Sequence, residues 1–289
     1  MKILCCNVNG RVRGALERQK RSLLKRKPDV LALQEVWMGS YADWCRGLAQ
    51  AGYSVVSAVD LVALPYPAPP VPGEPYPSPP FPPRRRDHIQ RKYFNLVAAR
   101  RPIAMLPGLS FGNPDEALYA FPEKYVAARV TIAGAEVDVH NAHLPPGVSR
   151  GAIKAHTFEA ITRRVDRDSD NPRILCGDFN APSDEDAKGP VHKLKRNWDE
   201  QTKTRWLEAE RALFGNPHMR DTYRTVHEGQ ESLPASHFTG GTGHRYDYIF
   251  ASSELQAESC EYLTDWLDSD RPDGRLSDHA PVEADLSLV

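Results

Sequence analysis

The segment 177–184, GDFNAPSD, follows the apolar run RILC and sets Asp178 and Asn180 two residues apart. Alternate side chains of a strand share a face, so an acid and an amide would emerge together where that strand ends. Gly177 allows close backbone approach and Pro182 stops the strand. An ordinary polar turn would use the same residue types. What tells against a mere turn is the company these residues keep. Asn7 follows ILCC, Glu35 follows VLALQ, and His143 lies in VDVHNAH. Asp247 sits in RYDYIF, and Asp278 and His279 sit in LSDHAPV just before the last apolar run. Burying a charge is costly unless it is paired or binds a metal, so four carboxylates, two amides and two imidazoles at strand ends call for a common site.

The chemistry this inventory suits is phosphoester hydrolysis. A hard cation, Mg2+ with Mn2+ as a substitute, takes carboxylate and amide oxygens, and Glu35 with Asn7 or Asp278 would supply them. Such an ion polarises a phosphoryl oxygen. Asp178 beside Asn180 can orient and deprotonate a water. His279 held by Asp247 can bind or protonate phosphate oxygens, and His143 can act from the opposite side. Asn9 is assigned to substrate binding, with support of Asn7 or of the metal's water shell as its role, and Arg101 to a substrate phosphate, against the plainer reading of a solvated Arg100–Arg101 pair. His140, Asn141 and His156 are read as structural. No zinc signature of paired cysteines or His-x3-His competes.

The elements that must position these groups follow from periodicity. KILCCNV (2–8) and DVLALQEVW (29–37) read as buried strands flanking an amphipathic helix at 15–27, a strand–helix–strand unit that implies parallel pairing. Further strands are expected at 53–59, 95–99, 125–134, 136–144, 173–179, 245–252 and 280–288. Helices are expected at 150–165 and 204–215, the latter with Gly215 as C-cap.

Composition bounds the rest. Forty per cent hydrophobic and 26% charged residues are ordinary for a globular chain, and Lys+Arg 37 against Asp+Glu 38 removes any global basic excess for a polyanion. Five cysteines form no disulfide or metal pattern and fit a reducing, cytoplasmic setting. No apolar run is long enough to span a membrane, and the start of the chain does not read as a signal peptide or a membrane anchor. The 289 residues read as one α/β domain with an insertion at about 64–92, probed by no sheet or helix signal because PYPAPPVPGEPYPSPPFPP (65–83) is rich in proline. That insertion is read as a solvated excursion, with a basic flap (Arg84–Arg86) and a partner-docking segment as the sharper alternatives. A monomer is expected.

Six segments in order, NVNG, LQEVW, NAHLP, GDFNAPSD, YDYIFAS and SDHAPV, resemble the endonuclease/exonuclease/phosphatase superfamily across Asn7 to Val282. The resemblance implies a four-layer αββα sandwich of two mixed β-sheets flanked by helices, with the site where the sheets open at one edge. It implies Glu35 and Asn7 near the metal, Asp178 and Asn180 at the water, Asp247 orienting His279, and a structural role near Asp221. Val36-Trp37 after Glu35, and His143 with Pro146, depart from the abasic-endonuclease branch. His143 is more similar to the pancreatic deoxyribonuclease and sphingomyelinase branches. Three functions are therefore weighed: a Mg2+-dependent nuclease or phosphodiesterase on nucleic acid, supported by the basic residues Lys20, Arg21, Lys25, Arg26 and Lys27; a phosphatase or phosphodiesterase on a small soluble ester; and a binding module that kept the fold without catalysis. The first is preferred over the second, and the third is set aside because unused buried charges destabilise.

Overall fold

The computed structural model describes residues 1–58, 60, 93–106, 122–132, 134–146, 151–166, 171–182, 185–186, 188–191, 198–230, 232–270 and 274–289. The whole of the insertion read at 64–92 lies outside these residues.

Two six-stranded sheets face one another. The first has the order β15-β16-β1-β2-β4-β3, from strands β1 (Lys2–Asn7), β2 (Val30–Trp37), β3 (Ser54–Ser57), β4 (Tyr93–Ala99), β15 (Leu255–Tyr262) and β16 (Val282–Leu288). The second has the order β11-β14-β8-β7-β6-β5, from β5 (Ile103–Met105), β6 (Tyr125–Ile132), β7 (Ala135–His143), β8 (Arg173–Asp178), β11 (Met219–Asp221) and β14 (Asp247–Ser252). Each sheet holds one parallel pair, β1 with β2 and β7 with β8, among antiparallel neighbours. Two hairpins complete the strands: β9 (Glu185–Asp186) with β10 (Gly189–Pro190), and β12 (His237–Thr239) with β13 (Thr242–His244).

Burial follows the period of two. Ile3, Cys5, Val30, Ala32, Val97, Val137, Val139, Ile174, Cys176 and Ile249 form the layer between the sheets. The opposite face of the first sheet packs on helix α1 (Arg13–Lys25) through Leu16 and Leu23, and on α2 (Tyr41–Gln50) through Trp44 and Leu48. The outer face of the second packs on α3 (Gly151–Val165) through Phe158 and Ile161, and on α4 (Glu200–Phe214) through Trp206 and Leu213. The arrangement is the expected αββα sandwich.

Gly177 occupies β8 with φ of +146°, opposite Ala142 of β7, and a Cβ there would collide with the Ala142 carbonyl. Gly177→Ala should therefore destabilise the protein by roughly 3 kcal/mol or more, read by chemical denaturation.

Several elements were not read from the sequence, the two-residue strands β9 and β10 and the three-residue β11 among them. Helix α2 has Ser40 as its N-cap, whose side chain makes no cap hydrogen bond to the helix. The edge strand β15 buries only Leu255 and Cys260 of eight residues, too few for an apolar pattern. β5, the β12–β13 hairpin and the short helix α5 (Thr222–Val226) are three to five residues long, below the length at which periodicity registers.

Candidate active site

The polar residues extend the inter-sheet apolar stripes by one step. In the second sheet, Val137 and Val139 lead in register to Asn141 and His143; Ile174 and Cys176 lead to Asp178; Asp247 begins the stripe of Ile249 and Ala251. Register places His143 opposite Asp178 and Asp178 opposite Asp247, so three side chains on three adjacent strands point together into the space between the sheets. In the first sheet, Ile3 and Cys5 lead to Asn7, and Val30 and Ala32 lead to Gln34. Glu35 should by alternation turn the other way. A bulge between Leu33 and Val36 in the β2–β4 pairing, with Glu35 at φ of +54°, re-aims it towards the cleft.

Three amides join the sheets beneath this cluster. Gln34 Nε2 donates to Asn141 Oδ1 at 2.7 Å, and Asn141 Nδ2 donates to the carbonyls of Leu33 and Leu96 at 3.0 and 2.9 Å. Asn95 Nδ2 donates to the Lys124 carbonyl at 2.8 Å. These bonds replace the water that buried amides would lose, and they fix how far apart the sheet edges stand.

Asp178 is the centre of the site. Its Oδ2 accepts from Asn7 Nδ2 at 3.0 Å and its Oδ1 from the Asn180 backbone N–H at 2.9 Å. His143 Nε2 and His279 Nε2 approach Oδ2 at 3.6 and 3.7 Å. Burial pushes the Asp178 carboxyl above the usual carboxylate range, with His279 drawing it back down and Asp247 raising it further. That favours a base stronger than a free aspartate.

The two histidines differ in charge because their neighbours differ. His279 Nδ1 lies 2.8 Å from Asp247 Oδ2. Burial opposes its charge, but the carboxylates of Asp247 and Asp178 outweigh burial and raise its pKa to about 10. His143 is depressed well below 6.5 by burial and then by the Lys124 ammonium, which lies 3.2 Å from its Nδ1. An ammonium can only donate, so His143 is neutral, accepts at Nδ1 and carries its proton on Nε2, facing Glu35 Oε1 at 3.7 Å and Asp178.

A divalent cation fits this donor set. Four carboxylates (Glu35, Asp178, Asp247, Asp278) stand against one ammonium and one imidazolium, which leaves two negative charges for an ion to neutralise. Burial, Asp178 and Asp278 raise the Glu35 carboxyl although Lys124 pulls it down, and its side chain makes no hydrogen bond among the described residues. Asp247 Oδ1 is buried without a hydrogen-bond partner, and Asp178, Asp247 and His279 offer ligand atoms within 4.8 Å of one another.

Residues 4–279 match the Endonuclease/Exonuclease/phosphatase family model. The chain belongs to that family. Its fold is shared with TDP2 of D. rerio, in a humanized form with 14 mutations, at 14% identity and TM-score 0.64, covering 100% of this chain and 99% of that one. It is shared with the 3′ phosphatase NExo from Neisseria bound to product DNA hairpin, at 21% identity and TM-score 0.62, and with an AP endonuclease from Archaeoglobus fulgidus, at 20% identity and TM-score 0.64, each covering 100% of both chains. A search of curated proteins by sequence gives no match. As a member of an enzyme family of hydrolytic nucleases and phosphatases, the protein is a hydrolase rather than a binding module.

Arg101, the basic run of α1 and the Asn180 side chain sit otherwise than expected. Arg101 does not reach it. β4 runs antiparallel to β2, with Tyr93 opposite Trp37 at the site end and Ala99 opposite Val30 at the far end, so Arg101 is exposed at the opposite edge of the sheet. Arg101→Ala should leave kcat/KM within about twofold of wild type, because an exposed arginine away from the site contributes little. The basic run of α1 also leads away. Lys20 pairs with Glu17 at 2.6 Å, Arg26 with Glu283 at 2.6 Å, and Lys25 and Lys27 lie towards the end where β2 begins. Asn180 stands at φ of +48° and serves Asp178 through its backbone, while its side chain donates to the Leu144 carbonyl at 3.0 Å. Asn7 spends its amide on Asp178 and on the Asn9 N–H, which reaches its Oδ1 at 3.0 Å, so Asn9 supports Asn7. Asp221 lies apart in a buried ion-pair group, where it and Glu185 hold Arg245.

Lys124, whose ammonium lies 3.2 Å from His143 Nδ1, is the cation beside the cluster that the sequence did not reveal. The PEKY context carries no pattern, and only the β6–β7 pairing brings it to His143. Lys124→Met should lower kcat/KM roughly 10- to 100-fold, the worth of a charged hydrogen bond, and raise the His143 pKa, as measured by kinetics and by NMR titration of the imidazole.

Proposed function

We propose that this enzyme is a Mg2+-dependent nuclease or phosphodiesterase that hydrolyses nucleic-acid phosphodiester bonds with Asp178 as the base that activates water. The observation that carries the reading is the fixed Asp178 carboxylate. It is held by Asn7 and the Asn180 amide, raised by burial, and flanked by one charged and one neutral imidazole. His279, kept as imidazolium by Asp247, binds the phosphate oxygens and offsets the charge that grows on them. His143 donates from Nε2 on the other side, with Lys124 behind it. Glu35 and Asp278, with Asp178 alongside, would hold Mg2+, or Mn2+ in its place, and the ion when bound supplies a Lewis acid that polarises the phosphoryl group.

Support for nucleic acid comes from the rim. The exposed large apolar side chains among the described residues are Val12, Met38, Tyr93, Phe238, Leu288 and Val289. Val12 and Met38 follow the site ends of β1 and β2, Tyr93 pairs with Trp37 there, and Phe238 adjoins His237, which bridges to His279. Exposed aromatic faces beside a phosphoesterase site suit stacking of bases. The reading places the enzyme in the reducing cytoplasm, in keeping with five free cysteines, four of them buried. Among the described residues no helix is long and apolar enough to cross a membrane.

The test is a substrate panel: end-labelled single- and double-stranded DNA and RNA, alongside phosphate release from nucleotides, sugar phosphates and inositol phosphates. Cleavage of polynucleotide at least 100-fold faster than release from any small ester is the expected result. The reverse order would assign the enzyme to small esters.

A further inference from the structure

One imidazole beside the cleft, His237, is left unused by this chemistry. His237, the first residue of β12, forms an isolated antiparallel bridge with His279, and the two rings stack with centroids 4.4 Å apart at 29°. His237 Nδ1 lies 2.9 Å from the Asp278 backbone carbonyl. A carbonyl only accepts, so His237 carries its proton on Nδ1 and presents the lone pair of Nε2. No other hydrogen bond engages that ring among the described residues. His279 is anchored in the same manner, its Nδ1 on Asp247. A ring nitrogen from each histidine and a carboxylate oxygen of Asp278 lie within 4.8 Å of one another.

Two imidazoles, each pinned through Nδ1 by a carbonyl or carboxylate, together with a carboxylate, make a donor set that borderline transition ions take, whereas Mg2+ prefers oxygen alone. We propose that His237, Asp278 and His279 form a second cation site, selective for Zn2+ over Mg2+, whose occupation withdraws the His279 imidazole from the phosphate and opposes turnover. The site shares Asp278 with the oxygen-rich side at Glu35, so Zn2+ here would compete with Mg2+ for that carboxylate, and it does not depend on which phosphoester is cut.

The experiment is calorimetric titration of ZnCl2 into the full chain without Mg2+, with Co2+ as a spectroscopic reporter of imidazole coordination. Wild type should bind one Zn2+ here and give a Co2+ visible band. His237→Ala should weaken that binding about tenfold or more and remove the imidazole-dependent part of the band. His237→Asn keeps an N–H for the Asp278 carbonyl but lacks the Nε2 lone pair, and it should behave as the alanine variant does. Glu35→Gln should leave Zn2+ affinity within about twofold. Circular dichroism establishes that each variant is folded, and either folded His237 variant suffices for the comparison. Absence of stoichiometric Zn2+ binding by wild type, or Zn2+ affinity unchanged in a folded His237 variant, would overturn the proposal.

Discussion

Asn in place of Asp178 should lower kcat roughly 10³-fold or more while the protein stays folded. The substitution keeps the size of the side chain and an oxygen for the Asn180 N–H, removes the basicity and the charge, and gives up the acceptor for Asn7 Nδ2. Asp178 is buried beside Asp247, and their repulsion together with burial is what raises its carboxyl. Removing the charge relieves that cost, so the thermal midpoint should hold or rise even as turnover collapses. A site built for catalysis and paid for in stability shows this opposition, whereas a purely structural aspartate would lose both together. The check is kcat by initial rates beside a thermal melt of the same preparation. Near-wild-type turnover would remove Asp178 from the chemistry.

The second large effect is in the pH profile. With its pKa at about 10, His279 remains an imidazolium across the neutral range. Its folded value lies above the ordinary 6.5, so the stability from its pairing with Asp247 and Asp178 is complete below about 6.5 and is lost as pH climbs through about 10. Activity that needs the charged ring should fall over the same alkaline limb. Asp247→Asn removes the strongest force holding that proton, so the limb should move towards neutral pH and kcat at neutrality should drop roughly 10²- to 10³-fold. His279→Ala should abolish the alkaline limb along with most of the turnover. A full pH–rate profile of wild type and Asp247→Asn is the measurement. An alkaline limb in the same place for both would show that the Asp247–His279 pair does not control it.

Much of this site was legible in the sequence because its residues end apolar strands. Asp178, His143 and Asp247 each sit in phase with an inter-sheet stripe, and alternation alone then points them into one cleft. Glu35 is out of phase with its strand. Its place in the cleft depends on a bulge that no residue type announces. Arg101 failed for a related reason: a strand's end can be read from sequence, but not which edge of the sheet that end reaches, and β4 is antiparallel to β2. Lys124 and His237 come from short irregular segments whose neighbours are set only by tertiary pairing. Asn180 lay where expected, but a left-handed backbone turned its side chain to Leu144 and left its N–H to hold Asp178.

On the proposed chemistry, a buried aspartate and a divalent cation together hydrolyse a phosphodiester bond at this cleft. The most direct measurement is cleavage of an end-labelled single-stranded oligonucleotide by wild type and Asp178→Asn, side by side, in Mg2+ and again with the metal chelated. Products are expected only for wild type with Mg2+, restored on adding the ion back. Cleavage that survives chelation, or that the Asp178→Asn protein performs equally well, would contradict it.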